Sequence, residues 1–170
     1  MIKKRGSKRG QMKLSYGMIF SIILIIVFLA FAFYAIKKFM GIQNTVMVGD
    51  FIDSLGSDVD KMWKGSQGSQ EREYRLPKKI QYVCFADFYS SERGGKDEYY
   101  PELKRVFNEK ENLVFYPVGS GGEFDSVEVK HIDIEAMTEN NNPYCIENKD
   151  GKVNMIIKKN HGEALVTVSD

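Results

Sequence analysis

The sequence has few of the residues from which catalytic and metal sites are usually built. Its 170 residues include two histidines and two cysteines, and no G-x-S-x-G, H-E-x-x-H or G-x-x-x-x-G-K-[ST] pattern occurs. The cysteines and histidines lie far apart and lack the paired spacings of a zinc site. His131 and His161 are the only candidate imidazole bases, and we expect both to be structural. The composition predicts a protein that is not an enzyme, with no catalytic residue, metal or cofactor.

Acidic residues are absent from the first forty positions, which hold eight of the 24 basic residues. Positions 41–170 hold the other sixteen basic residues and all 23 acidic ones, a formal charge of −7. The charge of the whole chain, +1, hides this division. Because binding of a polyanion needs a basic face, we expect no nucleic acid partner for the larger part of the chain.

A long apolar run stands near the N-terminus. Residues 18–35 are interrupted only by Ser21 and Tyr34, and about 20 apolar residues are needed to cross the ~30 Å hydrocarbon core of a bilayer. Ala30-Phe31-Ala32 matches the A-x-A cleavage pattern of a secretory signal peptide, but the apolar run continues beyond it. The sequence therefore favours a retained, single-pass transmembrane helix in contact with membrane lipid.

The basic residues around this run predict its orientation. Six of them lie within residues 1–13, whereas after Lys37 and Lys38 the next basic residue is Lys61. The positive-inside rule then places residues 1–13 in the cytoplasm. The C-terminal domain is expected on the extracytoplasmic side of the cell membrane.

The helical pattern continues past the apolar run. Apolar residues follow a 4-3-4-3 spacing and form one helical face: Val48, Ile52, Leu55, Val59 and Met62. The spacing predicts one helix over residues 14–63, a transmembrane part followed by an amphipathic stalk. Aspartates, among them Asp53 and Asp58, are expected on its water-exposed side. The apolar face would pack against the protein's own domain or form a coiled coil with other copies.

A change of composition separates this helix from the rest of the chain. Residues 64–70 are small and polar and are predicted to be a linker. Residues 71–170 are enriched in β-branched and aromatic residues and are predicted to form the exported β-rich domain. The fold class is therefore α+β: a long N-terminal helix, then a mainly antiparallel sheet domain with one short helix near residues 101–110.

Individual strands are predicted within the β-rich domain. Residues 127–134 read as one strand with a bulge at Lys130-His131, because the apolar positions change parity there. The last segments, residues 144–146, 153–157 and 164–168, are divided by turn sequences. They are predicted to form a three-stranded antiparallel meander.

The two cysteines fall in predicted strands. A Cys84–Cys145 disulfide would close a loop of about 60 residues and add roughly 4 kcal/mol of stability in the chain-entropy model. Disulfides persist in the extracytoplasmic environment that the topology predicts. The alternative is that both are buried free thiols, since reduced cysteine is among the most buried residue types.

The segment before the apolar run resembles a known targeting signal. Lys8-Arg9-Gly10-Gln11 followed by a long apolar stretch is similar to the class III signal peptides of archaeal type IV pilin-like proteins. The resemblance implies cleavage by a prepilin-type peptidase between Gly10 and Gln11. It also implies a long N-terminal helix that packs on a β-rich head, and self-association through that helix.

Two functional hypotheses follow from these observations. The first is a pilin-like structural or binding subunit of a cell-surface assembly. The second is a signal-anchored envelope protein whose β-domain binds a partner without forming a filament. Many pilins carry Glu at the fifth mature position, where this chain has Ser15, and this difference keeps the second hypothesis open.

Overall fold

The computed structural model describes residues 16–108 and 110–170. They divide into two compact units between Met40 and Gly41, and helix α1 supplies residues to both. The helices are α1 (Tyr16–Lys64), α2 (Tyr100–Leu103) and α3 (Ile134–Met137). The strands are β1 (Gly68–Arg75), β2 (Tyr82–Phe85), β3 (Leu113–Tyr116), β4 (Ser126–Val127), β5 (Tyr144–Glu147), β6 (Lys152–Lys159) and β7 (Thr167–Ser169). The α+β fold class is confirmed.

Two antiparallel sheets make up the second unit together with the C-terminal part of α1. One sheet has three strands in the order β1-β6-β7, and the other has four in the order β4-β3-β2-β5. The first pairs the strand that follows α1 with a strand more than 75 residues further along the chain, with Tyr74 opposite Val153. The unit is therefore held together mainly by contacts between distant parts of the sequence.

The four-stranded sheet is covered on both faces. Alternating side chains such as Val83, Phe85 and Phe115 join the core that contains α1. The intervening Cys84 and Val114 point to the other face and join a second cluster with residues of the 86–107 segment. Because side chains alternate along a strand, β2 and β3 each contribute to two separate cores.

The predicted meander is wrong. Its first segment, β5, pairs with β2 in the four-stranded sheet, whereas β6 and β7 pair with each other in the three-stranded sheet. Asp150 and Gly151 do form a tight turn, with φ of 57° and 90°. The turn connects β5 and β6, which belong to different sheets. The turn residues therefore do not show that the two flanking strands pair with each other.

The predicted strand over residues 127–134 is also wrong. Strand β4 ends at Val127, and His131 has a φ of 65°. The side-chain amide of Asn112 donates to the Val129 carbonyl at 2.9 Å and accepts from the Val129 N–H at 2.8 Å. These two bonds satisfy the backbone of Val129, which therefore needs no strand partner.

The segment between helix and sheet is shorter than the linker predicted for residues 64–70. Helix α1 ends at Lys64 and β1 begins at Gly68. The polar composition predicts a linker, yet part of this segment is paired with β6, where Ser69 lies opposite Lys158. The short helix predicted near residues 101–110 is α2, one turn with Pro101 near its start.

Candidate functional site: the apolar helix and its packing face

In the first unit, α1 exposes apolar side chains all around its axis. The large apolar residues from Met18 to Met40 are 39–69% exposed, and the best 18-residue window has a mean hydropathy of 3.0. A helix that is apolar on every side is typical of a membrane span. Within residues 16–108 and 110–170, α1 is the one helix long and apolar enough to cross a membrane.

In the second unit, α1 packs one face into the core. Of the five residues on the predicted packing face, Val48, Leu55 and Val59 are no more than 1% exposed. Ile52 and Met62 are half-buried against the same core. These side chains contact the sheets of their own chain, which is the first of the two arrangements that the spacing allowed.

Phe51 lies at the centre of this contact, although it falls outside the 4-3-4-3 series. It is 2% exposed, and its ring meets Tyr74 of β1 and Phe115 of β3 edge-on, at centroid distances of 5.4 and 5.8 Å. One helical side chain thus contacts both sheets. The 4-3-4-3 spacing alone does not predict this role for Phe51.

Asp58 is buried, contrary to its predicted place on the water-exposed side of the helix. Only 8% of it is exposed, and its carboxylate accepts a hydrogen bond from the Tyr74 hydroxyl at 3.0 Å. Lys61 and Arg72 each place a side-chain nitrogen 3.2 Å from it. Burial is the main cause that raises the pKa of Tyr74, and the neighbouring Asp58 carboxylate raises it further. This cluster joins α1 to β1 through charge-assisted contacts.

The C-terminal end of α1 is capped by a lysine from a distant strand. The Lys159 ammonium, on a residue that is 9% exposed, donates to the carbonyl oxygens of Trp63 at 2.6 Å and Gly65 at 2.9 Å. A cation at this end satisfies terminal carbonyls and favours the helix dipole. The Trp63 ring also stacks on His131 at a centroid distance of 3.8 Å.

The two cysteines form a disulfide in the structure. Cys84 and Cys145 are directly opposite each other on β2 and β5, and the bond links residues 61 positions apart. It joins the edge strand β5 covalently to its neighbour. A disulfide in this domain indicates an oxidising, extracytoplasmic environment.

The other residues singled out from the sequence are not assembled into a reactive site. His131 stacks on Trp63 with its Nε2 atom 3.6 Å from an Asp60 carboxylate oxygen, and His161 lies exposed in the turn between β6 and β7. In the part of the chain that the structure describes, no group of three or more His, Cys, Asp or Glu side chains is arranged to hold a metal ion.

Gly10 and Gln11, the predicted processing site, lie outside the described residues, as does the basic segment 1–13. Cleavage there therefore stays a prediction.

A cluster of aromatic residues was not predicted. Tyr99 stacks on Tyr116 at 4.1 Å, Tyr82 lies beside both, and the Lys96 ammonium sits 4.3 Å from the centre of the Tyr82 ring. These residues come from β2, β3 and the loop before α2. The alternation of β2 and β3 placed Tyr82 and Tyr116 on one face, but no sequence pattern could have brought Tyr99 to them.

Comparison with known proteins finds no family model, curated protein or solved structure that matches this chain.

Proposed function

We propose that this chain is a single-pass, membrane-anchored extracytoplasmic protein, a pilin-like subunit of a cell-surface assembly. The proposal rests on helix α1, Tyr16–Lys64. Its large apolar residues up to Met40 are exposed, whereas Val48, Leu55 and Val59 are buried in a β-rich domain. Such a helix joined to a β-domain fits the architecture of a type IV pilin-like protein.

The proposed location is supported by charge and by the disulfide. The basic segment 1–13 favours a cytoplasmic N-terminus. The bond between Cys84 and Cys145 favours an oxidising compartment for the domain. The protein would therefore present residues 41–170, with a formal charge of −7, outside the cell membrane.

The proposed role is structural or that of a binding module rather than catalytic. Its proposed partners are membrane lipid, a prepilin-type peptidase that removes residues 1–10, and other copies of the chain. Self-association would use the apolar residues of α1 before Met40, since the face that begins at Val48 is occupied by the protein's own sheets.

The intact mass and N-terminal sequence of the membrane-extracted protein test this proposal. We expect a mature chain that begins at Gln11 and migrates in assemblies of high mass. The Gly10→Trp variant should keep residues 1–10 and fail to assemble, because the peptidase requires a small residue before the cleaved bond. Gly6→Trp, in the same basic segment, is the matched control and should be processed normally.

A wild-type chain that still carries residues 1–10 and remains monomeric in detergent would overturn the pilin-like proposal. It would favour instead the signal-anchored envelope protein whose β-domain binds a partner. In that case Gly10→Trp and Gly6→Trp would behave alike.

A further inference from the structure

An aromatic pocket lies on the second unit, and none of its lining residues belongs to α1. Three rings form its apolar walls, those of Phe88, Tyr89 and Phe107, and α3 contributes Ile134. The cavity has a volume of about 130 Å³. Since drug-sized ligands and cofactors occupy ~300–1,000 Å³, this pocket fits only a small group.

The three rings are arranged as a corner. The rings of Phe88 and Phe107 lie 4.4 Å apart with an angle of 38° between their planes. Tyr89 stands almost perpendicular to Phe107, at 86° and 5.9 Å. Tyr89 is 80% exposed, the highest value for a large apolar or aromatic side chain within residues 41–108 and 110–170. Three aromatic side chains in different orientations therefore line the cavity, and Tyr89 among them is open to solvent.

Acidic residues lie beside the aromatic corner. Among the described residues, Asp87 and Glu111 line the cavity, against one basic residue, Lys110. The Asp87 carboxylate accepts from the Tyr89 N–H and the Ser90 hydroxyl, and the Glu111 carboxylate accepts from the Ser126 hydroxyl. The electron-rich faces of aromatic rings attract a cation, and the two carboxylates favour the same sign of charge. The pocket is thus suited to a positively charged group with an apolar surface.

Hydrogen bonds hold the walls of the pocket in place. The fully buried Asn142 accepts from the Asp87 N–H at 3.0 Å and donates to the Asp87 carbonyl at 2.8 Å. On the other side, the Asn112 carbonyl accepts from the Ala86 N–H at 3.0 Å, and the Glu111 carboxylate accepts from the Asn108 N–H at 2.9 Å. A wall fixed in this way loses little conformational entropy when a ligand binds.

We propose that this pocket binds a methylated ammonium group. A trimethylammonium cation has an apolar surface that matches the rings and a diffuse charge that the ring faces and carboxylates stabilise. The group could reach the pocket as a small solute or as a lipid headgroup, and both share this chemistry. This function is independent of the proposed assembly, because no residue of the pocket belongs to α1.

Calorimetric titration of the full-length protein in detergent tests the proposal with choline as the probe. The control ligand is 3,3-dimethyl-1-butanol, in which a carbon atom replaces the charged nitrogen. We expect saturable choline binding in the millimolar range and at least tenfold weaker binding of the neutral alcohol. Equal binding of the two would overturn the proposal, since it would show a simple apolar pocket, and so would the absence of saturable choline binding.

Variants identify the groups responsible. Phe107→Leu retains apolar volume but removes the ring, so choline binding should weaken at least fivefold. Tyr89→Ala should have a similar effect, whereas Tyr89→Phe should keep most of the affinity. Leu165→Ala, at an exposed residue elsewhere, should change nothing. If Phe107→Leu bound choline like the wild type, with the disulfide and near-ultraviolet circular dichroism intact, the aromatic site would be excluded.

The rim charges give a test that does not depend on loss of binding. Replacing the one cation among the described lining residues, Lys110→Met, should strengthen choline binding several-fold because a like charge is removed. Lys104→Met is the control outside the pocket. Calorimetric titration in detergent with short-chain, soluble phosphatidylcholine and phosphatidylglycerol, using wild type and Tyr89→Ala, separates the two sources. A Tyr89-dependent preference for phosphatidylcholine assigns the ligand to a headgroup, and binding of free choline alone assigns it to a solute. Unchanged or weaker binding by Lys110→Met would contradict the electrostatic assignment.

Discussion

At the residue scale, Asp58 shows how a helical pattern can hide a buried charge. It lies one position before Val59 and was predicted to face water, like Asp53. The strand β1 brings Tyr74 and Arg72 against it, so the carboxylate is buried but satisfied. A hydrophobicity pattern along the helix contains no information about which partner a distant strand supplies.

Removing this carboxylate should destabilise the domain. Asp58→Ala leaves the buried Tyr74 hydroxyl and the Arg72 guanidinium without their acceptor, and we expect a loss of about 2 kcal/mol. The larger loss of stability expected when a fully buried ion pair is broken does not apply, because Arg72 is 43% exposed and can be hydrated. Urea unfolding followed by circular dichroism measures the difference. Asp53→Ala, on the exposed side of the same helix, should stay within about 0.5 kcal/mol; equal losses in both variants would contradict this account.

Tyr144 should make the stability depend on alkaline pH. The pKa of Tyr144 is raised to about 12, mainly by burial and then by its 2.6 Å hydrogen bond to Asp170. The contribution of Tyr144 to stability is complete below about pH 10, where its hydroxyl is protonated in both the folded and the unfolded chain. This contribution is lost as the pH rises towards 12, because Tyr144 releases its proton at a lower pH in the unfolded chain than in the folded one.

Tyr144→Phe should therefore show a shallower fall in stability than the wild type between about pH 10 and pH 12. Unfolding midpoints in urea across this range measure the slope. Some slope should remain, since the pKa of Tyr74 is also raised, mainly by burial. Tyr89→Phe, which removes an exposed phenol, is the control. A slope identical in Tyr144→Phe and wild type would contradict the prediction.

At the element scale, the decisive contact is that of α1 with the sheets. Phe51 contacts Tyr74 and Phe115, one from each sheet, so truncating it opens a cavity where the helix and both sheets meet. We expect Phe51→Ala to lower the free energy of unfolding by about 3–5 kcal/mol.

The matched control is Val46→Ala, on an exposed part of the same helix, where Val46 is 55% exposed. It should cost less than about 0.5 kcal/mol. Thermal denaturation of both variants in detergent compares them directly. If the two melted at the same temperature, the packing of α1 on its own sheets would not contribute to stability.

Strand existence was predicted better than strand pairing. The segments now assigned to β2, β3, β5 and β6 carry recognisable β-branched and aromatic residues. The assignment of β5 to a meander failed because a turn sequence fixes only the local chain direction. Pairing with β2 buries Val83 and Ile146 in the common core and places Cys84 opposite Cys145. Those are long-range contacts that no local window contains.

At the scale of the whole molecule, the disulfide links early and late parts of the β-rich domain. Bonding residues 61 positions apart restricts the unfolded chain and should contribute roughly 4 kcal/mol. The double variant Cys84→Ser/Cys145→Ser should therefore melt at a lower temperature. A reductant should lower the melting temperature of the wild type and leave that of the double variant unchanged. Equal melting temperatures for oxidised wild type and the double variant would contradict the prediction.

The sequence by itself determined the apolar helix, its amphipathic continuation, the change to β-strands and the spacing of the buried face. These features repeat at short intervals along the chain, and hydrophobic periodicity records them directly. The tertiary structure alone decided the two-sheet arrangement, the burial of Asp58, the Lys159 cap and the pocket at Phe107. Each of these joins residues far apart in sequence, and their energies depend on distances and dehydration that arise only when the chain is folded.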